Sequence, residues 1–227
     1  MISWWAYPLI DEQNWIVLVS WTFWVIFAIT LHELGHAWAA IWQGDETPRE
    51  YGRLSLNPMV HMGPYSIIAF VLIGLAWGLT PINPNRFRWG RLGRVVVASA
   101  GPLTNLLLAL VCSFLYAAIL SWSPESTSDT KLLDNVLTLL DVGIYINLLL
   151  LLFNLLPIPP LDGSKILAAT FKPIDRLVHR PEAALFGLAV VMVIFLSGFD
   201  VVIASIVEGQ SNGLKSWAFW LLPGSGG

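Results

Sequence analysis

The stretch Val95–Trp122 carries no Asp, Glu, Lys or Arg, and it constrains the fold more than any other feature of the chain. A helix of about 20 mostly apolar residues crosses the hydrocarbon core of a bilayer. Backbone groups in lipid must be satisfied inside their own segment, so such a run is helical. Three more stretches pass the same test. Trp15–Leu31 is uncharged and runs through His32 towards Gln43. Asn135–Leu161 holds Asp141 as its one charge and is broken at its end by Pro157, Pro159 and Pro160. Ala183–Phe199 is uncharged and extends as far as Val207. Composition agrees, since only 12% of residues are charged, about half the share usual in soluble domains. The expectation is an all-α polytopic membrane protein with about four full transmembrane helices. It forms one membrane-embedded domain over 1–227, with a core at 14–168 and a C-terminal helix and tail at 182–227.

The segments between are informative too. Ser66–Ile82 is shorter and contains Gly74, Gly78 and Pro81, so it either spans or dips in and returns. The polar stretch between Gly44 and Pro64 includes the alternation Arg53-Leu54-Ser55-Leu56, which predicts a short strand or hairpin at the membrane edge. Residues 123–131 form a polar loop, and Trp217–Leu222 is too short to span. Residues 1–13 lack a basic start and carry Asp11 and Glu12, unlike a cleavable signal. Trp4, Trp5 and Tyr7 fit interfacial anchors instead. A net charge of -3 leaves no nucleic-acid footprint. Cys112 is the only cysteine, which excludes an internal disulfide and marks a packing residue.

Residues 32–36 read HELGH, the HExxH pattern of metalloproteases. Positions i and i+4 share a helix face, so both imidazoles can reach one ion. Glu33, one residue round the helix, can accept a proton from water made acidic by a metal such as zinc. The cluster follows an uncharged apolar run, where one ionisable side chain costs roughly 2.5–3.5 kcal/mol on insertion scales. Three together need a compensating role. A catalytic zinc takes three protein ligands, so one more must come from elsewhere. His61 and His179 both have the surroundings of surface residues. Asp141, Asp162 and Asp200 are the carboxylates near apolar segments, and Asp162 stands out because it closes the proline-broken run. Irregular backbone at membrane depth has to be buried in protein or line a cavity.

HELGH, AGPLTN (Ala100–Asn105) and NLLPIPPLDG (Asn154–Gly163) resemble, in that order, the three signature segments of the site-2 protease family of intramembrane zinc metalloproteases. The loop YGRLSLNPMVH also resembles a segment of its small bacterial members. The resemblance implies that His32, His36 and Asp162 bind one zinc ion and that Glu33 is the base. It implies that Asn154 helps hold the substrate or the oxyanion, against a plain interhelical hydrogen bond. Asn105 either supports a ligand from behind or packs, and Gly101 and Pro102 shape a helix start. The substrate implied is a membrane protein or peptide cut in or near its transmembrane segment.

If all three ligands meet, the first and third spans run the same way and residues 44–91 begin and end on one side. Ser66–Ile82 is then re-entrant or peripheral. Arg49, Arg53, Arg86, Arg88, Arg91, Arg94, Lys165, Lys172, Arg176 and Arg180 then share the side where the first span ends, leaving only Lys131 and Lys215 opposite. That bias puts the site towards the cytoplasmic face of the cell membrane. The competing reading is a non-catalytic membrane scaffold or a metal transporter that keeps a zinc site. A transporter shows repeated halves with broken helices, which the chain lacks, and a scaffold has no use for Glu33. Asp141 reads as structural.

Overall fold

The structure, a computed structural model, describes residues 15–122, 130–178, 180–196 and 199–222. Trp4, Trp5, Tyr7, His179 and most of the loop at 123–131 lie outside the described residues. The architecture is all helical: α1 (Trp15–Trp42), α2 (Thr47–Glu50), α3 (Pro58–Ile73), a 3-10 turn (Pro84–Arg86), α4 (Gly90–Trp122), α5 (Thr130–Asn154), α6 (Asp162–Thr170), α7 (Lys172–Val178), α8 (Pro181–Leu196) and α9 (Phe199–Trp220). Among the described residues, α1, α4 and Lys131–Asn154 of α5 are long and apolar enough to cross a membrane. Together they form the central bundle, each packed on the other two.

The fourth expected stretch falls on α8 and α9, which flank residues 197–198, outside the described residues. Helix α9 packs on α4 and α5, with Ala218 and Leu222 against Ala117 and Ala118 near the end of α4.

Small residues let the helices approach, as association within lipid requires. Ala28, Ala37, Ala40 and Ala109 are fully buried, and Gly143 faces the Trp24 indole. Trp24 donates its indole N–H to Leu139 O at 2.7 Å, so this polar atom stays satisfied. Val19, Phe23, Leu103, Leu107 and Phe114 are exposed and face where lipid would lie. Trp24 meets Leu139 while His32, further along α1, meets Asp162 beyond the end of α5. The two helices therefore run in the same direction.

The expected hairpin at 44–64 is also corrected. The described residues contain no strand there, only α2, turns and bends. Pro48 sits in the first turn of α2, and Gly52 takes φ 66°, which breaks extended pairing. The Arg53 guanidinium reaches Val60 O and Leu79 O rather than standing on a pleat. The stretch Ser66–Ile82 does not continue as one helix. Helix α3 ends at Gly74 in the left-handed region, and the chain then doubles back. Ser66 Oγ accepts from Trp77 N and donates to Trp77 O, and Leu79 N donates to His61 O at 3.0 Å.

Candidate metal centre

His32 and His36 lie one turn apart on α1, and Asp162 opens α6. One donor atom from each lies within 4.8 Å of the other two. The two Nε2 atoms are 3.1 Å apart, and Asp162 Oδ2 stands 3.1 Å and 3.0 Å from them. All three side chains are buried, Asp162 at 2% exposure.

A chain of hydrogen bonds sets the tautomers. Gly143 O only accepts, so Asn147 donates Nδ2–H to it at 2.8 Å and turns Oδ1 towards Asn105. Asn105 therefore donates from Nδ2 to Asn147 and offers Oδ1 to His32 Nδ1 at 2.6 Å. His36 Nδ1–H donates to Val97 O at 2.7 Å. Each imidazole is left with its Nε2 lone pair aimed at Asp162 Oδ2, the arrangement by which outer partners fix metal-binding histidines.

These donors fit a zinc ion. Three lone-pair atoms packed this closely repel unless a cation lies among them. Bonds of 2.0–2.1 Å in a tetrahedron place ligand atoms about 3.3 Å apart, close to the spacing present. Gly101 provides the space, because a Cβ there would be driven into both Nε2 atoms. Gly101 lies well inside α4, not at a helix start as expected from sequence. The Lys165 ammonium donates to the other carboxylate oxygen, Asp162 Oδ1, at 2.8 Å, which favours the ionised form that a ligand needs.

Glu33 is buried beside this group. The extended segment after α3 crosses it at Gly78, where a Cβ would collide with the Glu33 carboxylate. Thr80 Oγ1 donates to Glu33 O at 3.1 Å. Asn154 is half-buried at the end of α5, with Nδ2 bonded to Leu150 O of its own helix at 3.0 Å. His61 stands apart from His32, His36 and Asp162. It is buried, not at the surface, and bonds Ser55 O through Nε2. Asp141 pairs with Lys215 at 2.6 Å. Sequence reasoning did not foresee Asn147, the role of Gly101, or Lys165, which donates to Asp162 Oδ1 at 2.8 Å. A lone amide amid leucines was the signal for Asn147.

Residues 21–198 match the profile of peptidase family M50. The chain is 37% identical to "Putative zinc metalloprotease YwhC" of Bacillus subtilis over 84% of its own length and 87% of that protein's. It is 31% identical to "Putative zinc metalloprotease Rip2" of Mycobacterium tuberculosis over 90% of its length and 73% of the relative's. A 72-residue stretch is 42% identical to "Putative zinc metalloprotease MJ0611" of Methanocaldococcus jannaschii, covering 31% of each chain. No solved structure matches the chain.

Proposed function

The chain belongs to peptidase family M50, the site-2 proteases, and from that premise we propose that it hydrolyses a peptide bond in or near the transmembrane segment of a membrane-protein substrate. It is an integral membrane protein. The observation that carries the reading is the convergence of His32, His36 and Asp162 on one point from positions up to 130 residues apart.

One zinc ion, held by these three residues, would supply Lewis acidity and lower the pKa of water towards neutrality. The protein's own groups do the rest. Glu33 takes the proton from the attacking water and returns it to the leaving amine. Asn105 and Val97 O keep both imidazoles oriented through their Nδ1–H groups. Asn154 binds the substrate backbone or the developing oxyanion once its amide leaves Leu150 O. The substrate helix unwinds locally first, because its carbonyls are otherwise occupied by its own hydrogen bonds. The charge bias across the spans supports a site facing the cytoplasm from the cell membrane.

Glu33→Gln tests the assignment. In proteoliposomes with a single-span substrate it should keep its zinc and lose about 10²–10⁴-fold in cleavage rate. Wild-type turnover by this variant would sink the mechanism. Asp162→Ala should lose the zinc itself.

A further inference from the structure

The two oxygens of Asp162 have different partners. Oδ2 faces His32 Nε2 at 3.1 Å and His36 Nε2 at 3.0 Å. Oδ1 accepts from Lys165 Nζ at 2.8 Å, the pair being three residues apart on one face of the first turn of α6. Leu161, at the N-cap, offers no side-chain bond, so among the described residues Lys165 is the one side chain on Oδ1. The carboxylate is only 3% exposed and the lysine 49%. One end of the interaction is therefore buried among the ligands, while the ammonium keeps contact with the outside. There it lines a cavity of about 280 Å³ with Phe87, Ala98, Pro160 and Ser164.

A buried carboxylate oxygen left without a partner is destabilising. Without Lys165, Oδ1 would have to find its partner elsewhere, and the positive charge most readily available is the metal ion. A carboxylate can bind an ion through one oxygen or two. Closing the second oxygen onto the ion would fill a position that a catalytic zinc keeps for water.

On the reading that His32, His36 and Asp162 hold zinc, we propose that Lys165 is a positioning residue of the metal centre, holding Asp162 Oδ1 away so that only Oδ2 is offered to the ion. The ammonium thereby keeps the coordination number low and a position open. It touches neither substrate nor ion and acts through Asp162.

The test uses the full chain in detergent, loaded with Zn2+ or with Co2+, whose visible absorption weakens strongly as coordination rises above four. Lys165→Met should keep its zinc but show weakened cobalt bands. Lys165→Arg, which keeps a charged donor, should restore the bands. Far-ultraviolet circular dichroism of the metal-free proteins should coincide, separating positioning from a failure to fold. Should Lys165→Met not fold, Lys165→Ala carries the same comparison. An unchanged cobalt spectrum in Lys165→Met would overturn the inference while leaving the zinc site standing. Wild-type protein that takes up neither ion would instead overturn the zinc site itself.

Discussion

Two polar clusters interrupt the apolar helices, and they meet the cost of charge in a membrane in opposite ways. Around His32, His36 and Asp162 the side chains are sealed from solvent, and each ligand is backed by a partner in turn: Asn105 then Asn147 then Gly143 O, Val97 O, and Lys165. About 9 Å further up α5, six residues before Asn147, Asp141 and Lys215 pair at 2.6 Å but stay 49% and 20% exposed. They line a cavity of about 370 Å³ with Glu208 and Asn212, and Lys215 also lies over the Tyr116 ring. The first cluster is closed, with its carboxylate and imidazoles buried in one arrangement. The second is open, with about half of the Asp141 carboxylate accessible. Preorganisation needs the closed design, because a buried network has little freedom to rearrange. A tether between α5 and α9 needs only the open one.

The largest effect expected is at the closed cluster's centre. Gly101→Val should abolish stoichiometric zinc binding, measured by elemental analysis, because the side chain occupies the space between both Nε2 atoms. Full zinc occupancy in that variant would break the account of the site. Asn105→Leu comes next. Removing the acceptor for His32 Nδ1–H should weaken zinc affinity by about 10–100-fold, read by competition with a chelator. The open cluster should respond far less. Asp141→Asn should cost about 1 kcal/mol or less in thermal unfolding, the scale of half-exposed pairs, and leave zinc affinity unchanged. The smallest term is the coupling between clusters. Asn105→Leu combined with Asp141→Asn should be additive within about 0.5 kcal/mol. A larger coupling would show that the two regions form one network after all.

Much of this was legible along the chain. Long uncharged runs placed α1, α4 and α5, because lipid permits no other structure for them. The i, i+4 spacing put both histidines on one face, and the proline-broken end of α5 singled out Asp162. The hairpin at 53–56 was misread for a physical reason. Four alternating residues state a period but not a partner, and without a partner Arg53 turned to the carbonyls of Val60 and Leu79. Gly101 was assigned to a helix start because the imidazoles it accommodates are about 65 residues away in sequence, on another helix.

By itself the sequence determined which segments enter the membrane and which residue types could hold a metal, since both follow from local composition and spacing. Only the tertiary structure decided how those donors are aimed. The orientation of His32 depends on Asn105, that of Asn105 on Asn147, and that of Asn147 on a backbone carbonyl at Gly143. Each step crosses between helices or runs back along one, and hydrogen-bond direction propagates through contacts that no linear spacing encodes.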